Sequence, residues 1–357
     1  MKKVKIVLVG GGSVSWSPTL INDLMLTPGL QHAEYIILDI DPENGNKIAK
    51  LGNMISQDRG YSATFIYTDN PKEAYTGADF VIITISTGGL NAMEWDLKIP
   101  EEYKIYQTVG DTVGPGGWAR GLRNIPVFKQ IAEDIQKYSN NAVVLNYTNP
   151  MSTLTKVFYK VSNLKTVGLC HGLFEVYAVL MKIFGLESEE EIKVKIGGIN
   201  HFFWVIEMNV RGEDGYELLR HKMKGRSFKD LVTEVYVDGA GFASNKWIAS
   251  ELFEYYGYLP YVADRHICEF LPYYLTNDPE KLNKYNLKRT SINDRIENKK
   301  YYADFVENLI NGKYKLPEKR SRETAADIIG AFVNKSEFID VVNLPNYGQI
   351  TNLPKGS

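Results

Sequence analysis

The chain has 357 residues, 44% hydrophobic and 24% charged, an ordinary globular composition with length for two domains or one large one. Its formal net charge is −2, with Lys and Arg scattered rather than in blocks, which argues against a nucleic-acid or anionic-membrane partner and for a small molecule. Two cysteines, Cys170 and Cys268, are too few for the disulfide framework of a secreted protein.

Residues 5–9 form a short apolar run that stops at Gly10-Gly11-Gly12, and residues 18–25 carry a helical apolar pattern, giving strand, glycine turn and helix. The lysines ahead of that run imitate a leader, but the run is too short for one, so a first strand is expected. Runs at 35–38, 63–67 and the β-branched 80–85 predict three more strands, with a short helix at 71–75. Helical spacing over 125–138 precedes two further strands at 142–145 and 164–169. The richest apolar window, 169–186, is broken by His171, Glu175 and Lys182, far from the roughly 18 uninterrupted residues of a membrane span. A soluble, cytoplasmic protein is therefore expected, and the sequon Asn146-Tyr147-Thr148 is read as chance.

Strands alternating with helices predict an α/β fold, a Rossmann-type doubly wound parallel sheet, because each crossover needs a helix to return the chain to the same edge. From about residue 196 the texture changes to longer helical stretches at 242–256, 301–310 and 323–333. The expected division is residues 1–195 as a nucleotide-binding domain, followed by 196–357 as a mixed α+β domain for substrate, metal and oligomerisation, an architecture like that of lactate and malate dehydrogenases.

Gly10, Gly11, Gly12 and Ser13 stand between the first strand and a helix whose N-terminal amides favour a pyrophosphate. The third glycine of the G-x-G-x-x-G fingerprint is replaced by Ser15. Asp39 closes the second apolar run, where a carboxylate accepts hydrogen bonds from both ribose hydroxyls and repels a 2′-phosphate. The cofactor expected is NAD rather than NADP, and the plainer reading is a glycine turn followed by a surface acid.

Cys170 and His171 close the sixth strand, Asn149-Pro150 the fifth, and Asn200-His201 ends another apolar run at 194–199. A thiolate and an imidazole from separate strand ends can meet at a divalent ion with positions open for substrate oxygens. A buried cysteine beside a hydrogen-bonded histidine is the other reading.

Residues 8–13, Gly110-Asp111-Thr112-Val113-Gly114-Pro115-Gly116-Gly117, Asn146-Tyr147-Thr148-Asn149-Pro150-Met151, Cys170-His171-Gly172, Gly198-Ile199-Asn200-His201-Phe202 and Asp264-Arg265-His266 run in one order along the chain. Together they resemble family 4 of the glycoside hydrolases, closest to its α-galacturonidase branch. That family is an NAD-dependent exception to the two-carboxylate mechanism of glycosidases. The resemblance implies Cys170 and His201 as ligands of a divalent metal, usually manganese, which also holds the C2 and C3 hydroxyls of the sugar. It further implies hydride transfer from C3 to NAD, loss of the acidified C2 proton to a base, elimination of the C1 substituent, addition of water and return of the hydride.

By the same resemblance Asp264 is the base, Asp111 or His171 protonates the leaving oxygen, and Asn149 holds sugar hydroxyls. Arg265 and His266 contact the substrate, where a bidentate Arg suits a uronate carboxylate. Plainer roles stand beside these: Asp264 as an ion-pair partner of Arg265, Asp111 as a turn residue, His171 as an orienting group. Cys268 is read as a small apolar filler, and each of Trp16, Trp95, Trp118 and Trp204 as core rather than as a sugar platform. The expected assembly is a homodimer or homotetramer. Family members continue beyond Asn352-Leu353-Pro354, so the chain is expected to be short at its C-terminus. The alternatives are an NAD-dependent 2-hydroxy-acid dehydrogenase and a truncated NAD-binding protein without catalysis; neither needs a thiolate at 170 together with an imidazole at 201.

Overall fold

A computed structural model describes residues 3–235, 245–275, 278 and 280–356. Its first sheet has six strands: β1 (Lys5–Val9), β2 (Glu34–Leu38), β3 (Thr64–Thr68), β4 (Phe80–Ile83), β5 (Val143–Asn146) and β6 (Lys165–Gly168). Every pairing is parallel and the order is β3-β2-β1-β4-β5-β6, the doubly wound arrangement in which the strand order reverses between β1 and β4. All six expected strands are present within a residue or two of their expected limits, as are the helices Ser17–Leu26 and Pro71–Tyr75.

Alternation along the strands explains the two cores. Ile6, Leu8, Tyr35, Ile37, Phe80 and Ile82 lie in one buried cluster, while Val7, Val9, Ile36, Leu38, Val81 and Ile83 lie in the other. A parallel sheet covered on both faces needs such continuous apolar strands. The helices Pro42–Asp58, Gly89–Glu102 and Met151–Val161 have no counterpart among the expected elements. The first carries its own glycines: a Cβ at Gly45 would sit 2.2 Å from Tyr67 Cδ2, and one at Gly52 2.4 Å from Phe65 Cγ. Both glycines fall at helical spacing on the buried face of Ile48, Ala49 and Ile55, so close approach to β3 completes that face where side chains would not fit.

Two compact units divide the chain, and both are discontinuous in sequence: residues 1–90, 121–169 and 291–357 form one, and 91–120 and 170–290 the other. This partition by packing differs from a linear division at residue 195. The helices Ile292–Ile310 and Ala325–Asn334, expected in part at 301–310 and 323–333, place Val306, Leu309, Ala325 and Ile329 in the core on one face of the six-stranded sheet. Asn343 pairs with Gly168 beyond the end of β6. Asn146, the sequon residue, is fully buried and donates to Thr155 Oγ1 at 3.0 Å, so no glycan can be attached there.

The second unit is built on a hairpin of β7 (Ile192–Ile199) and β8 (Phe202–Val210), with β9 (Glu213–Asp214) and β10 (Leu259–Pro260) both antiparallel to β8. The helix expected over 242–256 is Trp247–Tyr256, and positions 242–244 lie outside the described residues. Trp95 and Trp118 are 59% and 69% exposed, so neither is the core residue expected; Trp16 and Trp204 are half-buried. Among the described residues no helix is long and apolar enough to cross a membrane.

Candidate functional site

In the first unit the chain leaves β1 through Gly10, whose φ of +79° suits a residue without a side chain. A Cβ there would come within 2.8 Å of the Thr84 carbonyl oxygen, and one at Gly11 within 2.7 Å of that of Leu8. The Gly10 amide donates to the Leu38 carbonyl at 2.9 Å, and the Gly12 amide to Asp39 Oδ2 at 2.8 Å. Asp39 Oδ1 also accepts the Asp41 amide at 2.9 Å, so the acid at the end of β2 is aimed from both sides. Ser17 Oγ closes the turn onto the Gly11 carbonyl at 2.6 Å, and the helix Ser17–Leu26 opens without a side-chain cap from Trp16. A helix start and a glycine turn held this way leave backbone N–H groups for an anion. Sequence reasoning missed Ile40, 99% exposed beside Asp39.

In the second unit Asp111, His201 and His266 have ligand atoms all within 4.8 Å of one another. Each comes from a different element. His201 is in the two-residue turn between β7 and β8, with a φ of +64° that a histidine seldom adopts. His266 is in the helix Asp264–Phe270, and Asp111 in the loop ahead of Gly114–Tyr138. The two imidazoles stack at 3.8 Å between centroids. Thr112 Oγ1 donates to Asp111 Oδ1 at 2.7 Å and lies 2.8 Å from His201 Nδ1.

Burial pushes His201 down to about 4 against the pull of Asp111, and pushes His266 well below the usual imidazole range. Burial alone would raise Asp111, but His201, His266, the Thr112 hydroxyl and Arg120 outweigh it and hold the carboxyl below its usual range. Two neutral imidazoles and a carboxylate are donors suited to a borderline or hard divalent cation, so the residues present fit one.

Cys170 is not in that group of three. It is half-buried, follows β6, and its Sγ accepts the Gly172 amide at 3.4 Å. Its charge and that of Asp111 both act on Tyr261, whose phenol burial keeps well above its usual value. Tyr261 is a second residue that sequence reasoning missed. Its amide donates to the Phe203 carbonyl at 2.8 Å, extending the pairing of β10 with β8, and its ring stacks 6.2 Å from His201 and 6.1 Å from His266. His171 stands, half-buried, at the N-terminal boundary of the helix Gly172–Phe184 without a side-chain capping bond, and its charge is felt by Glu175, His201 and His266.

Asp264 is fully buried, and its two carboxylate oxygens accept the Ala249 amide at 3.0 Å and the Ile248 amide at 3.3 Å, at the start of Trp247–Tyr256. Burial pushes it up to about 6 against those amides and Lys246. Arg265 Nη2 donates to the Thr108 carbonyl at 3.3 Å and to Thr290 Oγ1 at 3.1 Å. Cys268 is fully buried with its thiol pushed up by burial, as an apolar filler would be. Asn149 is in the first unit, where its side-chain oxygen accepts the Met151 amide at 3.3 Å.

A doubly wound parallel sheet with a glycine turn and a ribose-type acid, in a chain that also groups a carboxylate with two imidazoles, defines the class of nucleotide-dependent, metal-assisted enzymes. The profile of family 4 glycosyl hydrolases matches residues 5–186, and that of the family 4 C-terminal domain matches residues 196–357. The chain belongs to family 4 of the glycosyl hydrolases, and is a glycosidase. It is 38% identical to an α-galacturonidase of Bacillus subtilis over 99% of this chain and 80% of that one. A crystal structure of the Bacillus subtilis protein lplD superposes with a TM-score of 0.88 at 35% identity, covering 100% of this chain and 82% of that one. A 6-phospho-α-glucosidase from gut microorganisms, solved in complex with NAD and Mn2+, shares the fold with a TM-score of 0.75 at 24% identity, over 99% and 80% of the two chains.

Proposed function

We propose that the chain is an α-galacturonidase that uses NAD and a divalent cation, manganese in the first instance. The observation that carries this is the grouping of Asp111, His201 and His266 in a chain so similar over its whole length to an α-galacturonidase. When bound, NAD supplies a hydride acceptor and donor, and the cation supplies positive charge where a sugar oxygen gains electrons. The turn at Gly10, Gly11, Gly12 and Ser13, shaped by its own internal bonds, is assigned to the pyrophosphate together with the start of Ser17–Leu26, Asp39 to the ribose hydroxyls, and Ile40 offers apolar surface to the adenine.

His201, Asp111 and His266 hold the cation, with Cys170 the further ligand that the family resemblance adds. His171, half-buried, is assigned as the acid for the glycosidic oxygen, while Asp111, held below its usual range, stays ionised as a cation ligand. Asp264, with both oxygens on helix amides, holds the start of Trp247–Tyr256 in place. Arg120, half-buried and near enough to lower Asp111, is assigned to the uronate carboxylate, since Arg265 is engaged with Thr108 and Thr290. Asn149 is assigned to sugar hydroxyls.

The assembly proposed is a homodimer through the helix Gly89–Glu102 and the residues after it, where Trp95, Ile99 and Tyr103 are exposed at four-residue spacing. An aryl α-galacturonide should be hydrolysed only with NAD and Mn2+ together, and faster than the matching α-galactoside. In deuterated water the released sugar should carry deuterium at C2. Hydrolysis indifferent to NAD would overturn the reading, and net release of NADH would favour the hydroxy-acid dehydrogenase alternative, which family membership disfavours.

A further inference from the structure

Thr112 Oγ1 touches two members of the proposed cation site: Asp111 Oδ1 at 2.7 Å and His201 Nδ1 at 2.8 Å. A threonine hydroxyl has one proton and two lone pairs, a carboxylate oxygen can only accept, and a neutral imidazole has one N–H donor and one acceptor nitrogen. The proton of Thr112 goes to Asp111, so the contact with His201 is a hydrogen bond only if Nδ1 carries the ring's proton and donates to Oγ1. That leaves the other ring nitrogen, Nε2, with its lone pair. We infer that Thr112 is a positioning residue that fixes the tautomer of His201, turning the imidazole into a ligand through Nε2 while orienting Asp111 with the same hydroxyl.

The inference rests on the cation reading above and adds a residue to it. The chain of bonds runs from the His201 ring N–H to Thr112 and from Thr112 to Asp111, so one side chain sets two donors that approach from different elements. An outer hydrogen-bond partner of a ligating histidine fixes the ring's orientation and tautomer, and its loss commonly weakens metal binding about 10–100-fold. The loop that presents Thr112 is itself held. Gln107 Oε1 accepts the Gly116 amide and Gln107 Nε2 donates to the Val113 carbonyl, both at 2.8 Å. A Cβ at Gly117 would lie 2.4 Å from the Thr112 carbonyl carbon, so only a glycine lets the following helix come so close. The threonine is thus placed by the backbone around it.

The test uses the full chain labelled with 15N at histidine, Thr112→Val and Thr112→Ser. In the metal-free wild type, long-range 15N–1H spectra should show His201 with the Nδ1–H pattern. Thr112→Val should lose that preference and bind Mn2+ about tenfold or more weakly by electron paramagnetic resonance titration, and Thr112→Ser should restore both. An Nε2–H pattern in the wild type, or wild-type Mn2+ affinity in Thr112→Val, overturns the inference. If Thr112→Val does not fold, the wild-type tautomer and the Ser variant still decide. Failure of the wild type to bind Mn2+ at all would instead sink the cation reading, while the tautomer measurement stands apart from it.

Discussion

Glu269 Oε1 accepts the amide of Gly110 at 2.9 Å, so a buried carboxylate on the helix Asp264–Phe270 holds the backbone one residue ahead of Asp111. The same oxygen accepts the Val109 amide at 2.6 Å and the Thr108 hydroxyl at 3.1 Å. Glu269→Ala leaves the buried Val109 and Gly110 amides without their acceptor, at about 1–3 kcal/mol for each, while the Thr108 hydroxyl keeps the Arg265 carbonyl. A loss of about 2 kcal/mol or more in unfolding free energy is expected from denaturant titration. A loss below about 1 kcal/mol would show that the loop is held by other contacts.

The same residue should leave a mark on stability against pH. Burial pushes Glu269 up to about 7, so its protonated native form adds stability that is complete below the ordinary carboxylate range and is lost as pH rises through about 7. His201, pushed down to about 4, and His266, pushed well below the usual imidazole range, work in the opposite sense, through the ordinary imidazole value of about 6.5 and about a unit above it. Asp264, pushed up to about 6, titrates mostly below the same point. The contribution of Glu269, read as wild type minus Glu269→Gln, should therefore fall between about pH 6.5 and 8, with a slope of at most about 1 kcal/mol per pH unit. Parallel stability–pH curves for the two proteins would assign the titration elsewhere.

Gly172 lies against the Tyr261 ring. A Cβ at 172 would lie 3.0 Å from Tyr261 Cε2 and 3.2 Å from Cζ, and Tyr261 stacks on both His201 and His266. Gly172→Ala should fold, at a cost of about 1–2 kcal/mol for the crowding, and should weaken Mn2+ binding because the displaced ring carries the imidazoles with it. Calorimetric melts paired with Mn2+ titration separate the two effects. Full Mn2+ affinity in a destabilised variant would confine Tyr261 to packing.

The nucleotide turn gives a sharper pair. Gly12→Ala places a Cβ 2.8 Å from Asp39 Oδ2 and should weaken NAD binding by about tenfold or more, read from NADH fluorescence. Asp39→Asn removes the charge that repels a 2′-phosphate, so its preference for NAD over NADP should shrink. An unchanged preference would mean that Asp39 serves the turn alone.

Ile99→Glu sets a charge in the exposed stripe of Trp95, Ile99 and Tyr103. Sedimentation equilibrium should then show a monomer for the variant and the proposed dimer for the wild type. A dimer of undiminished affinity places the interface elsewhere.

Much of the first unit was legible in the sequence because its signals are local. Apolar runs of four to six residues, the glycines after β1 and the acid after β2 each report on their own neighbourhood, and their chain order implies a parallel sheet. The helix Pro42–Asp58 went unread although Ile48, Ala49, Leu51 and Ile55 keep a helical spacing, since two positions of its buried face are glycines that pack on Tyr67 and Phe65 of β3. Nor was the return of residues 291–357 to the first unit, a choice made by which faces remained to be covered.

By itself the sequence determined the doubly wound parallel sheet, the glycine turn and the family, and it singled out positions 111, 201 and 266 among its candidates. Only the tertiary structure decided that these last three converge, that Thr112 joins two of them across 89 residues of chain, and that Asp264 and Arg265 face backbone and hydroxyl partners. The physical reason is that strand and turn propensities act within a few residues, whereas the partner of a side chain is set by packing between segments far apart in the chain.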